Sequence, residues 1–306
     1  MKQYYPTPQE VDEWIGEIWR EALSTPFTAE IIDDPSLGNR DWFFVGQALY
    51  SSRFVKITPQ NGDPFYVYWQ PVENGPAPLC VHLPGYGCEM THHPDIVAQG
   101  FNVLEVSPLG LCTPHGKNAE KIAGYSVFPD TITSLARGGY FNWLTHCILA
   151  VLWAWSQPQT IPERVSFFGT SQGGGTALLC GSLFRDRNAR CVAADEPFLA
   201  GFEEAVKFGA FGDLLPEPLK QVIEKHGEAV AYKTLGYVES ICHAHRLTMP
   251  VLLTSGSADE LIPAECIKAL FEMLPKTRCY FDIEGRGHGF TPEFAHLVKA
   301  WFRLYA

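Results

Sequence analysis

Residues 164–184 read RVSFFGTSQGGGTALLCGSLF. The first six are apolar and aromatic in the manner of a buried strand, and Thr176–Phe184 continue as an apolar run of helix length. Between them stand Gly169-Thr170-Ser171-Gln172-Gly173, then Gly174 and Gly175. A chain that turns sharply from strand to helix forces its corner residue into strained backbone geometry. Glycines on both sides remove the side chains that would clash there. The serine at the corner then stands exposed above the sheet, at the N-terminus of a helix whose dipole favours an oxyanion. A bare GxSxG in a chain with 27 glycines also fits an ordinary Gly-rich turn; the flanking strand and helix are what make Ser171 a nucleophile candidate.

Outward from this corner the same alternation repeats. On the N-terminal side lie the strand runs PLCVHL (78–83) and FNVLEV (101–106), with a helix-like stretch at 89–100 between them. Before these, SRFVKIT and PFYVYW flank the turn-forming Asn61-Gly62-Asp63, which predicts a hairpin and an antiparallel edge. An amphipathic helix is expected from Thr7 to about Leu23, since Thr7 and Glu10 form a capping-box pattern and Val11, Trp14, Ile15, Ile18 and Trp19 recur at helical spacing. A Gly/Pro/Ser-rich passage from Ser107 to about Pro129 is too long for a simple connection and is expected on an active-site rim. A strongly apolar helix is predicted over 142–155. On the C-terminal side come ARCVAA, a mostly helical insertion over about 198–245, PVLLTS, a helix over 263–274, RCYFDI and a final helix over 291–304. Strands alternating with helices imply one α/β domain over 1–306, its mainly parallel sheet covered on both faces. Ligands in such sheets bind beyond the carboxyl ends of the strands.

A neutral serine needs a base. His288, in Glu284-Gly285-Arg286-Gly287-His288-Gly289-Phe290, follows the last strand run on a Gly-rich loop able to carry an imidazole across to Ser171. The base needs an acid to fix its tautomer. Asp259 follows PVLLTS; Asp195 and Glu196, after ARCVAA, are the alternatives. Two donors must face the developing oxyanion. The Gln172 N–H follows the nucleophile directly. The Tyr86 N–H, in the His82-Leu83-Pro84-Gly85-Tyr86-Gly87 loop after PLCVHL, is the second. His243 and His245 lie near Cys242 but lack a completing ligand set, so no metal is expected. The absence of GxGxxG after the first strand, of GxxxxGK[ST] and of HExxH gives little support to a metal- or nucleotide-dependent enzyme.

GTSQGGG, the Pro84-Gly85-Tyr86-Gly87 loop, the segment from Gly256 to Pro263 and the Gly287–Phe290 run together resemble the acetyl xylan esterase/cephalosporin C deacetylase family. The Glu196–Phe202 loop and Tyr140-Phe141-Asn142 are similar to it as well. The resemblance implies an α/β-hydrolase fold and a triad of Ser171, Asp259 and His288, with Tyr86 and Gln172 in the oxyanion hole. It also implies removal of short acyl groups, typically acetyl, from carbohydrates or similar alcohols, no cofactor, and a homo-oligomer. The sequence departs from that family at Ser107–Leu111, where Arg-Gly-Gln is usual, and at Pro84, where a histidine is usual.

Composition narrows the alternatives. The net charge is −11, with no basic run to bind nucleic acid. No apolar stretch has membrane-spanning length, and the first residues lack an apolar signal region. Nine cysteines without a CxxC pair read as free thiols of a cytoplasmic protein. The competing functions are a peptidase, a thioesterase or a longer-chain carboxylesterase on the same fold, and a non-catalytic binding protein.

Overall fold

The computed structural model describes residues 2–32, 52–118, 127–210 and 216–306. Helix α1 spans Pro8–Ser24. The Thr7 N–H donates to the Glu10 carboxylate at 2.9 Å while the Glu10 N–H donates to Thr7 Oγ1 at 3.3 Å, so two otherwise orphaned donors are satisfied reciprocally. Its buried face is Val11, Trp14, Ile15, Ile18 and Ala22. Strands β1 (Phe27–Ile32), β2 (Arg53–Pro59), β3 (Phe65–Gln70) and β4 (Ala77–Leu83) follow, then α2 (Pro94–Val97), β5 (Asn102–Val106) and the small hairpin β6 (Cys112–Thr113) and β7 (Gly116–Lys117). Next come α3 (Val127–Thr133), α4 (Tyr140–Trp155), β8 (Thr160–Thr170), α5 (Gln172–Leu183) and β9 (Ala189–Asp195). Helices α6 (Phe202–Phe208), α7 (Pro216–His226) and α8 (Glu228–Gly236) precede β10 (Val251–Gly256), α9 (Ala264–Met273), β11 (Arg278–Ile283) and α10 (Pro292–Tyr305).

Nine of the described strands make one sheet in the order β1-β2-β3-β5-β4-β8-β9-β10-β11. From β5 to β11 every neighbouring pair is parallel, whereas β1, β2 and β3 join antiparallel. The predicted hairpin is β2–β3, but the sheet edge is β1, which the sequence pattern gave no reason to expect. The run FTAEII does not alternate, and its four central residues are exposed, so it carries no buried-face signal.

Alternation sorts the central strands onto two cores. Leu79, Val81, Val165, Phe167, Val192, Ala194, Val251 and Leu253 face one cluster, with α1, α4 and α5. Their neighbours Cys80, Phe168, Cys191, Ala193 and Leu252 face the other, with α2 and α10. Both faces are therefore apolar, which is why these strands read as continuous hydrophobic runs.

The segment around 198–245 is anchored at its base by one carboxylate. Glu239 is fully buried and accepts the N–H groups of Gly201 at 2.9 Å and Phe202 at 2.7 Å, where α6 begins. Burial pushes its pKa up to about 7. Of the aromatic residues in this segment, Phe202 is fully buried and packs against Phe128 and Phe198. Tyr232 stacks on Tyr4. Phe208 is 57% exposed, and Phe211 lies outside the described residues.

Candidate active site

Ser171 sits between β8 and α5 with φ 57° and ψ −122°. For a residue with a Cβ this is a sparsely populated conformation, at a cost on the order of 1–3 kcal/mol, so its surroundings must hold it there. They do so through the backbone. The Ser171 N–H donates to the Asp195 carbonyl at 2.8 Å, and the Ser171 carbonyl accepts from Gly175 at 3.0 Å and Phe198 at 3.0 Å. The glycines permit the close approach this requires. A Cβ on Gly173 would lie 2.0 Å from the Leu83 carbonyl oxygen, and one on Gly169 2.6 Å from the same atom.

The loop after β11 brings His288 to this corner. His288 Nε2 is 2.9 Å from Ser171 Oγ, and Nδ1 is 2.8 Å from Asp259 Oδ2. Asp259 is itself fixed, because its Oδ1 accepts the N–H groups of Leu261 at 2.8 Å and Ile262 at 2.9 Å. Sequence left Asp259, Asp195 and Glu196 open as the acid, and the structure gives each a different place. Asp195 is fully buried and faces Arg286, whose Nη1 and Nη2 reach its two oxygens at 2.9 and 2.8 Å. Glu196 is also fully buried, and its Oε2 lies 3.3 Å from His288 Nδ1 while accepting the Gly289 N–H at 2.8 Å. Arg286 Nε stands 3.1 Å from Glu196 Oε1, an ion-pair contact without hydrogen-bond alignment. Arg286 also donates to the Gly289 carbonyl.

Electrostatics follow from this layout. Burial drives Glu196 up to about 7, opposed by its bond from Gly289 and the charge of Arg286. Burial lowers the His288 imidazole, but the hydrogen bond and charge of Asp259, with Glu196 behind it, outweigh that effect. Its pKa therefore lies above the ordinary value of 6.5. Arg286 was not foreseen from sequence. Its signal is a lone cation two residues before His288, which must find buried partners once Asp195 and Glu196 close the adjacent strand.

The two expected oxyanion donors lie on the elements that meet at Ser171. Gln172 opens α5, where backbone N–H groups have no partner within the helix. Tyr86 is 37% exposed on the loop after β4. His243 is accounted for without a ligand: its ring nitrogens lie 2.8 Å from Ser182 Oγ and 2.9 Å from the Tyr237 carbonyl oxygen. His245 faces Asp12 of α1 at 3.1 Å.

Comparison with known proteins bears on this arrangement. The sequence profile described as acetyl xylan esterase matches residues 1–303. The chain belongs to the acetyl xylan esterase family. This makes it a serine-type carboxylic ester hydrolase directed at acetyl esters of carbohydrates. Among solved structures, it is similar to acetyl xylan esterase 1 from Thermoanaerobacterium sp. JW/SL YS485 at 19% identity, with a TM-score of 0.78, covering 98% of this chain and 95% of that one. It is similar to the acetyl xylan esterase from Paenibacillus sp. R4 at 19% identity, with a TM-score of 0.75, covering 99% and 98%. An acylaminoacyl peptidase from Pyrococcus horikoshii shares the fold at 14% identity, with a TM-score of 0.61, over 83% of this chain and 41% of that one. These likenesses establish the α/β-hydrolase fold. No described helix is long and apolar enough to cross a membrane.

Proposed function

We propose that Ser171, His288 and Asp259 carry out deacetylation through an acetyl-enzyme. Ser171 Oγ attacks the acetyl carbonyl as His288 Nε2 takes its proton. The oxyanion is met by the N–H groups of Gln172 and Tyr86, donors held in place before charge develops. Collapse breaks the bond to the sugar oxygen, which leaves with the proton from the imidazolium. Water then gives its proton to His288 and attacks the acetyl carbon. Ser171 is expelled, recovers the proton, and acetate departs.

Asp259 keeps the His288 proton on Nδ1, so that Nε2 is free to act as base. Glu196 and Arg286 act as positioning residues, holding the 286–289 loop against β9. The observation that carries the reading is one imidazole within hydrogen-bond reach of the serine hydroxyl on one side and an anchored carboxylate on the other. The insertion over about 198–245 serves as the rim of the pocket. Nine free cysteines support residence in a reducing compartment. The test is acetate release from acetylated xylo-oligosaccharides and p-nitrophenyl acetate, with chain-length profiling of p-nitrophenyl esters. Turnover by Ser171→Ala at the wild-type rate, or a preference for long acyl chains, would overturn the proposal.

A further inference from the structure

A second group of chemically capable side chains lies at the carboxyl ends of β4 and β5. His82 and Glu105 are register partners on these adjacent parallel strands, and His82 Nδ1 is 2.9 Å from Glu105 Oε1. His93, just before α2, brings Nε2 to 3.8 Å from Glu105 Oε2. One donor atom from each of the three residues lies within 4.8 Å of the others. The triad needs none of them.

The grouping at this place is unusual. The Glu105 side chain is fully buried, and among the described residues no Lys or Arg forms an ion pair with it. A buried carboxyl group with no cation beside it stays protonated or coordinates a metal. The surroundings are already arranged around that carboxylate. The Thr91 N–H donates to Glu105 Oε2 at 2.6 Å. Gln70 clamps the same loop, accepting the His93 N–H at 2.7 Å and donating to the Thr91 carbonyl at 3.0 Å. Such outer partners orient ligands in established metal sites. The two imidazoles keep 16% of their side-chain surface open, which leaves a route for a cation.

We propose that His82, His93 and Glu105 form a binding site for a zinc-class divalent cation. Two imidazole nitrogens and one carboxylate oxygen suit zinc or cobalt, and do not suit calcium or magnesium, which take oxygen ligands. Tetrahedral bonds of about 2.0–2.1 Å set ligand atoms about 3.3 Å apart. Side-chain movements of about an ångström bring these donors to that spacing and leave a fourth position for water. The bound cation ties β4 and β5 to the loop over 84–93, which also carries Tyr86.

The test is titration of the purified full chain with Co²⁺, followed by the visible absorption of a tetrahedral cobalt–imidazole centre, with Zn²⁺ as competitor. One equivalent is expected to bind in the wild type and in His288→Ala, which excludes the cluster of Glu196, Asp259 and His288. His93→Ala lies on a loop, and Glu105→Gln preserves shape; each is expected to weaken binding by more than about tenfold, the loss that even an outer-shell partner produces. Circular dichroism establishes that both variants are folded. Absence of stoichiometric binding in the wild type overturns the proposal, as does unchanged affinity in folded His93→Ala.

Discussion

Two carboxylates face one imidazole nitrogen, and substituting them separately assigns their roles. Asp259 Oδ2 is the nearer to His288 Nδ1, at 2.8 Å against 3.3 Å for Glu196 Oε2. If Asp259 sets the tautomer, Asp259→Asn lowers kcat by roughly 10⁴-fold, as expected when an amide presents the wrong proton arrangement to the ring. Glu196→Gln is a milder perturbation. At an effective dielectric of about 20, full charges 3.3 Å apart interact by about 5 kcal/mol. Arg286, 3.1 Å from Glu196, offsets part of that field while also pairing with Asp195, and burial pushes Glu196 up to about 7, which weakens it further. A residual effect of about 1.4 kcal/mol on His288 corresponds to one pH unit. Kinetics with p-nitrophenyl acetate over about pH 5–9 read both numbers, because the acid limb of kcat/KM reports the free enzyme's base. Glu196→Gln should move that limb down by about one unit. The sign follows from charge: removing an anion makes the imidazolium less stable, so the base stays neutral to lower pH. A loss for Glu196→Gln equal to that for Asp259→Asn refutes the assignment, as does an acid limb that does not move.

Four further outcomes follow from the same geometry. In the wild type the acid limb should lie above pH 6.5, because the interactions of His288 favour its charged form; a pH–rate profile checks this. Ser171→Ala should lower kcat by roughly 10⁵-fold or more with little change in melting temperature, as expected of the proposed nucleophile of a coupled unit. Gly173→Ala places a methyl 2.0 Å from the Leu83 carbonyl and must push α5 from β4; a cost of about 1–3 kcal/mol or more should appear in the urea midpoint, together with slower turnover. Trp14→Ala removes a ring that is 4% exposed and donates to the Ala136 carbonyl at 3.0 Å; denaturant unfolding should show a loss of about 3–5 kcal/mol.

The elements that face a core on a regular period were legible from sequence. Val165 and Phe167 against Phe168, or Val11, Trp14, Ile15 and Ile18, announce their elements because burial imposes a spacing that the chain itself displays. The corner at Ser171 was legible for a related reason, as close backbone approach leaves only glycine at Gly169 and Gly173. Strand β1 was not, since its register on β2 is held by backbone hydrogen bonds that any side chains permit.

Sequence alone set the candidates beyond the strand ends, in the order Ser171, Asp259, His288, and that order with its flanking glycines carried the family resemblance. It did not determine which carboxylate meets the imidazole. Asp195 closes β9, Glu196 follows it and Asp259 lies on the turn after β10, and only the packing of the 286–289 loop against these strands gives Arg286 to Asp195, Gly289 to Glu196 and the nearer ring contact to Asp259. The grouping of His82, His93 and Glu105 was likewise invisible along the chain. It depends on the pairing of β4 with β5 and on a loop folding back over them, and charge compensation inside a protein is settled by distances in space.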